Sequence, residues 1–424
     1  MNKLCRALPW ILLFVMCTSG LASAQTSTQP IPPSASARGI YKSYLLAKAN
    51  EPAFQTARAE LEVGQVGVSV ARAAYYPQLQ YSRVKENTET GQRSTLQLQQ
   101  PLIALDRWAT FREAPHREAL ATLTYDQREQ ELAARIVKIV SDMVRYSENM
   151  RSNKSRVEAL TLQYKAAQRM YQLGEGTVTD VADTRVRLGQ AKADGLNLEA
   201  KLEEARRLYA YTCGEAPQLA EFQMLRRARK VADLESLPDV KEANAQVGIA
   251  KQNHEIADLG ILKAKSAITP TVTANASKTE ANNTSNTYVG VSLTMPLQAQ
   301  GYYGIASARA NETKAREQLR ETEQKLQLDL ERLKTLIKSG NNEIDVRLET
   351  IEAAEINVSA NEKSFKGGVR SKTDVLNAIQ QLYQSNDDYV TATLTLADNY
   401  LNYLLAASVR TDTALQLVNG FLFQ

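Results

Sequence analysis

Four short stretches of the chain alternate between apolar and small polar side chains. Val289, Val291, Leu293 and Met295 alternate with Gly290, Ser292 and Thr294, and Leu96 and Leu98 with Thr95, Gln97 and Gln99. Leu79 and Tyr81 alternate with Gln78, Gln80 and Ser82, and Val272, Ala274 and Ala276 with Thr273 and Asn275. A period of two predicts β-strands with one apolar and one polar face. Turn-prone polar residues at Asn87–Gly91 and Asn282–Asn286 join them into two hairpins. Each strand has about ten residues, the length of a tilted strand crossing a bilayer. The uncharged Gln, Thr, Ser and Gly of the second face suit a wetted lumen; a soluble hairpin backed by a helix fits the same alternation. Tyr75, Tyr76, Trp108, Tyr302 and Tyr303 cluster at the helix-side strand ends, as in an interfacial aromatic girdle.

Beyond the strands the period changes. Leu319, Leu326, Leu330, Leu333, Ile337, Ile344, Leu348 and Ile351 follow one another in steps of seven, four and three, a heptad seam. No proline interrupts the stretch from Tyr302 to Phe365, which predicts a rod of roughly 95 Å. The matching segment from Leu105 to Leu173 contains Pro115, which is expected to kink the helix or delay its start. Rods this long do not fit inside a compact domain and must form coiled coils. Gly174-Glu175-Gly176 ends the first rod, and Thr179 or Asp180 is the candidate N-cap of a returning helix. Gly367-Gly368 ends the second, and Ser371 to Asp374 begins its return. The returning helices are expected to reach about Tyr211 and Ser408.

The two halves are copies of one design. Pro77 corresponds to Pro270, Pro101 to Pro296, and Gly174 with Thr179-Asp180-Val181 to Gly368 with Thr373-Asp374-Val375. The offsets stay close to 194 residues, longer than solenoid periods. The expected organisation is a leader at 1–24, a loose Ser/Pro/Ala-rich segment at 25–39, and a first repeat at 40–212. A bridge at 213–238, a second repeat at 239–410 and a tail at 411–424 follow. The hairpins fall at about 77–103 and 269–298, and the tips at about 174–179 and 367–373.

Lys3 and Arg6 precede a short apolar run from Trp10 to Cys17, and Ala22-Ser23-Ala24 supplies small residues for cleavage after Ala24. This reads as a secretory signal peptide, too short for a membrane anchor. Val15-Met16 before Cys17 is not the small-residue context of a lipoprotein cysteine. The mature chain then keeps one cysteine, Cys213, and no intrachain disulfide. No other segment has the apolar run of a helical membrane span. With 51 Lys and Arg against 47 Asp and Glu, the charge is too balanced for a nucleic-acid partner. Two histidines and three cysteines argue against metal clusters and most His-based catalysis, so no catalytic residue, metal or cofactor is expected. His116 and His254 read as surface or packing residues, Cys213 as a buried or idle thiol, and Asp387-Asp388 as a solvated helical pair. Gly174-Glu175-Gly176 lacks the lysine of a phosphate loop.

Four strands cannot close a membrane barrel, and lipid excludes open sheet edges. A membrane role therefore requires several copies. The chain resembles the TolC-like outer-membrane efflux and type I secretion proteins over nearly all of residues 40–410. The resemblance is carried by Tyr76-Pro77-Gln78-Leu79, Gln99-Gln100-Pro101-Leu102, Met295-Pro296-Leu297, the duplication, and the run Gly368 to Ala378. It implies a mainly α chain with membrane β: a trimeric TolC-like α/β-barrel, with four strands per protomer in a shared twelve-stranded barrel. Long helical hairpins form a tunnel through the periplasm below the outer membrane of a Gram-negative bacterium. The implied partners are outer-membrane lipid, a periplasmic adaptor (membrane fusion) protein, and an inner-membrane ABC or proton-driven transporter.

The absence of a lipoprotein cysteine favours type I protein secretion over small-molecule efflux, since many drug-efflux relatives are lipid-anchored. The rival class is a soluble periplasmic coiled-coil adaptor. By the resemblance, Asp374 matches an aspartate ring at the periplasmic mouth, and Asn377 stands where a second aspartate occurs. Arg370 matches the arginine of the closing network, with Thr179 and Asp180 as its partners on the other hairpin. Phe365 stands where a family member has a tyrosine, which removes a hydroxyl link. Gly174 and Gly368 match tip glycines that adaptors touch, and they also suit helix C-caps.

Overall fold

The computed structural model describes residues 39–85, 92–225, 229–231, 243–281, 284–296 and 298–423. The expected leader with Ala24, the turn at Asn87–Gly91 and part of the bridge lie outside them. Helices α1 (Gly39–Asn50) and α2 (Pro52–Ala73) lead into strands β1 (Gln78–Lys85) and β2 (Gln92–Ile103). Then follow α3 (Leu105–Gln172) and α4 (Val178–Cys213). After a short 3-10 turn at Leu219–Phe222 come α5 (Ala245–Lys265), β3 (Thr271–Ala281) and β4 (Thr284–Thr294). Helices α6 (Ala299–Lys366), α7 (Lys372–Ala406) and α8 (Thr411–Leu422) complete the chain.

Helices α3 and α6 have 68 residues each, about 100 Å of rod. The heptad seam of α6 faces inward: Leu326, Leu333, Ile337 and Ile344 are buried, and Leu330, Leu348 and Ile351 pack against the core. Pro115 neither delays nor ends α3, which begins at Leu105 and continues past it. The proline removes one backbone donor. Neighbouring helices flank the stretch: Gly64 of α2 lies against Ala121, and Gln252 of α5 hydrogen-bonds His116 at 2.9 Å. Towards the sheet the helices lie in the order α2–α3–α5–α6, and towards the tips in the order α4–α3–α7–α6.

The strands form one antiparallel sheet in the order β1-β2-β3-β4. Strand pairing in the second hairpin reaches further than the sequence suggested: Thr284 already pairs with Ala281, Ser285 with Glu280 and Asn286 with Thr279.

Packing is concentrated at the middle of the rods. Ile40 and Tyr44 of α1, Ile136, Val140 and Met143 of α3, and Leu401 and Leu404 of α7 form a buried knot. The expected C-terminal tail is part of it. Residues 411–422 form α8, whose Ala414, Leu415, Val418, Phe421 and Leu422 are buried. Asn419 Oδ1 accepts a hydrogen bond from the Ile40 amide at 3.0 Å, and the Leu422 carbonyl accepts one from Leu225 at 3.2 Å. A second, smaller apolar cluster near the tips joins Leu160, Leu188, Ala191, Val375, Leu376 and Ile379. Between the clusters the inward face of α3 is polar. Asn149 bonds Asp387, Asn153 donates to the Ala191 carbonyl at 2.8 Å, and Arg156 pairs with Asp194 at 2.8 Å. Asp388 accepts from Arg347 at 2.9 Å. Asp387-Asp388 is therefore not the free solvated pair its sequence suggested, because both carboxylates are partnered across helices.

Asp398 of α7 sits beside the central knot, with Lys138, Asp142 and Arg145 of α3 as charged neighbours. Burial holds its carboxyl above the usual aspartate range; Lys138 and Arg145 pull it back, and Asp142 adds to the rise. A raised carboxyl favours the neutral acid, so Asp398 supports the fold below about pH 4 and costs stability as pH climbs. Asp398→Asn is expected to raise the thermal midpoint at pH 7 and leave it unchanged near pH 3.5, by calorimetry.

Candidate functional site

The strand register sorts the sheet into two unlike faces. Leu79 pairs with Leu98, Leu98 with Ala276, and Ala276 with Val289. Further along, Ala274 pairs with Val291 and Val272 with Leu293. Every one of these side chains projects from the same face, because alternate residues share a side. The opposite face carries Gln78, Gln99, Asn275 and Gly290 in one register row. Polar links cross it: Asn275 Nδ2 donates to Ser292 Oγ at 2.8 Å, and Thr95 and Thr279 hydroxyls lie 3.4 Å apart. Gly290 leaves room on this face for the Tyr288 ring, whose hydroxyl would sit 2.3 Å from an added Cβ.

Among the described residues the apolar face has no covering layer: Val289 is 77% exposed, Val291 64% and Leu293 70%. A soluble hairpin would back such a face with a helix, and none of the described helices does so. Tyr76, Trp108, Tyr302 and Tyr303 are all exposed at the helix-side ends, and Arg112 lies 5.3 Å from the Trp108 ring centroid. No helix among the described residues is long and apolar enough to cross a membrane.

The far ends of the rods repeat one another. Gly174 has φ 76° and Gly368 φ 75°, the left-handed conformation that glycine adopts freely. Behind each, a backbone bond closes the helix end: Glu175 to Met170 at 2.9 Å and Val369 to Ser364 at 2.9 Å. Each returning helix starts with a capping box. Thr177 caps α4, with its hydroxyl accepting from the Asp180 amide at 3.2 Å and the Asp180 carboxylate accepting from the Thr177 amide at 3.2 Å. Ser371 and Asp374 do the same for α7, at 3.2 and 3.0 Å. The N-cap is therefore Thr177, not Thr179 or Asp180 as its sequence suggested. Asp180 occupies the third helical position, where its carboxylate returns the bond.

Asp374 is thus both cap partner and charge. Its hydrogen bonds from Ser371, and secondarily the nearby Arg370, hold its carboxyl below the usual aspartate range. It stays anionic at physiological pH. Asn377, one turn further along α7, is exposed and uncharged. Arg370 is exposed, and among the described residues no hydrogen bond or ion pair joins it to Thr179 or Asp180 within the protomer.

Near the tips, Lys372, which sequence reasoning passed over, adds a polar contact between the hairpins. Lys372 is 6% exposed, and its ammonium donates to Gln163 Oε1 of α3. Burial pulls its pKa below the usual lysine range, while Asp180 and Glu362 work against that fall. One signal was available in the sequence. A lysine in the first turn of a helix opposes the helix dipole and asks for an explanation.

Candidate chemistry elsewhere is structural. His254 Nε2 lies 3.1 Å from Glu312 Oε1 between α5 and α6. Cys213 is fully buried, and burial pushes its thiol up to about 12, so it is not an activated nucleophile. Among the described residues no cluster of His, Cys, Asp and Glu could hold a metal ion.

A sheet that, among the described residues, has one bare apolar face, one polar face and two unpaired edges is built as a segment of a membrane β-barrel wall, and the rods prolong it. The family model described as "Outer membrane efflux protein" matches residues 44–213 and again 233–406, so the chain belongs to that family. The two matches coincide with the two halves of the duplication. The chain is similar to the alkaline protease secretion protein AprF of Pseudomonas aeruginosa, with 24% identity over 90% of this chain and 87% of that protein. It is also similar to the proteases secretion protein PrtF of Dickeya chrysanthemi (25% identity, 83% and 84% covered) and to TolC of Vibrio cholerae (23%, 85% and 90%). Among solved structures, the outer membrane protein VceC of Vibrio cholerae shares the fold at TM-score 0.73 and 16% identity, covering 87% of this chain and 96% of that one. This is a TolC-like outer-membrane duct for efflux or secretion, with a periplasmic extension.

Proposed function

We propose that the chain is the outer-membrane exit duct of a type I protein secretion system, assembled from three copies. The observation that carries the assembly is the open sheet: among the described residues β1 and β4 each leave one edge unpaired, which lipid does not tolerate. Three copies supply a closed twelve-stranded barrel, and their long hairpins continue as a helical tunnel. The flanks support the same packing. On one side α2 exposes Val63, Val66 and Val70, and α4 exposes Val186, Leu196 and Leu208. On the other, α6 exposes Leu328, Val346 and Ile356. Head-to-tail contact between unlike flanks covers both apolar stripes and closes a ring.

Protein cargo is supported by the likeness to AprF and PrtF, whose names describe protease secretion, over most of this chain. An inner-membrane ABC exporter delivers the cargo, and a periplasmic adaptor docks at the tips around Gly174 and Gly368. Small-molecule efflux is the second reading, favoured by the likeness to the outer membrane efflux protein BepC of Brucella suis (24% identity over 78% of this chain). Deleting the gene separates them. Loss of a large protein from the culture medium with unchanged drug susceptibility supports secretion; the reverse supports efflux. A soluble adaptor is the outcome if the protein leaves the membrane pellet in alkaline wash.

At the mouth, Arg370, Thr179 and Asp180 help to keep the tips together, and three copies of Asp374 bring anionic charge to one axis. Such a ring attracts cations and repels anions, while Asn377 adds only an uncharged ring. Asp374→Ala is expected to lower the cation preference of the pore and its block by trivalent cations in planar bilayers. Unchanged selectivity and block would remove Asp374 from the aperture.

A further inference from the structure

The duplication makes one position anomalous. Lys372 and Val178 occupy equivalent first-turn sites of α7 and α4, yet the lysine is 6% exposed and the valine 63%. Burial of an ammonium opposes its hydration, and the dipole at a helix start opposes its charge. A lysine accepts such a place only when specific partners hold it.

Those partners lie on two other helices. The Lys372 ammonium donates to Gln163 Oε1 of α3 and stands 5.0 Å from the ring centroid of Phe365 on α6. The Gln163 amide passes the polarity onward: its Nε2 lies 3.5 Å from Glu362 Oε1, also on α6. The order ammonium, amide, carboxylate runs with every dipole aligned, so each contact strengthens the next. Phe365 has no hydroxyl to offer a cross-link. The ammonium resting on its face makes the link in its place.

We propose that Lys372 is the latch that ties the second hairpin to the first at the tip, holding the duct's mouth shut through Gln163. The proposal rests on the reading of the chain as a gated duct and adds a positioning residue to it. Opening requires α7 to swing away from α3, which separates Lys372 from Gln163. The broken hydrogen bond is then offset by hydration of the freed ammonium, so the latch releases without stranding a buried charge.

The test uses the full-length protein reconstituted from outer membranes. Lys372→Met keeps the buried stem and removes the charge and the donor. It is expected to raise single-channel conductance, and hydrogen exchange in the segments 157–172 of α3 and 372–382 of α7 should rise at least about tenfold, the loss of one charged hydrogen bond. Gln163→Ala should do the same. The charge-swapped pair Lys372→Glu with Gln163→Lys should restore slow exchange and low conductance. If Lys372→Met keeps parental exchange in both segments, Lys372 is a packed stem with an idle head and the latch is wrong. Exchange reads the latch directly, so it decides even where the parent forms no pore. An inert parent in bilayers counts against the duct reading alone.

Discussion

Val291→Arg is expected to abolish insertion into the outer membrane. Val291 sits mid-strand on β4, paired with Ala274, on the face that also carries Val289, Leu293 and Leu98. An arginine at the bilayer midplane of a β-barrel costs about 2–4 kcal/mol. In the proposed three-copy assembly that cost is repeated three times within one barrel, with no wild-type neighbour to compensate. The expected readout is loss of the heat-modifiable trimer band on gels and accumulation of protein outside the alkaline-washed membrane pellet. Gln99→Arg is the matching control. Gln99 pairs with Gln78 and Asn275 on the polar face, where a charge meets water. Normal insertion of both variants would mean that the apolar face does not meet lipid.

Truncation after Arg410 is expected to be as severe, by a different route. It removes α8 and with it the buried Ala414, Leu415, Val418, Phe421, Leu422 and Phe423. At about 1.5–3 kcal/mol for each large apolar side chain, the loss is on the order of 10 kcal/mol. That is comparable with the whole net stability of an ordinary domain, roughly 5–15 kcal/mol. The deletion also strips the Asn419 cap from the Ile40 amide and uncovers Phe222, whose ring stacks edge-on against Phe423 at 5.9 Å. Proteolysis and steady-state abundance in the periplasm should report a chain that fails to assemble. Leu415→Ala, the milder test of the same packing, should cost about 2–5 kcal/mol.

Much of this architecture was legible in the residues because it rests on local periodicity. The alternation at Val289–Met295 and the heptad steps of α6 follow from the backbone repeats of strand and helix, and both survive in the structure. The tip glycines were legible for a similar reason, since a left-handed residue closing a helix is a local requirement. Three expectations failed where context outweighed local preference. Pro115 does not delay the start of α3, which begins ten residues before it, at Leu105. Thr177 takes the cap expected at Thr179 or Asp180, because its hydroxyl and the Asp180 carboxylate can satisfy each other's amides. The residues 411–424 look like a tail in sequence, yet α8 closes the central knot.

By itself the sequence determined the duplication, the two faces of the strands, the rods and the family, since each is written as a spacing between residue types. Only the tertiary structure decided what Lys372 and Val178 do. The two are equivalent by repeat, and the chain places one against Gln163 and the other towards solvent. Side-chain spacing along one helix says which residues share a face; it does not say which neighbouring helix that face will meet. That choice depends on contacts between residues some two hundred positions apart, and it fixes where a charge is buried and where a link between hairpins forms.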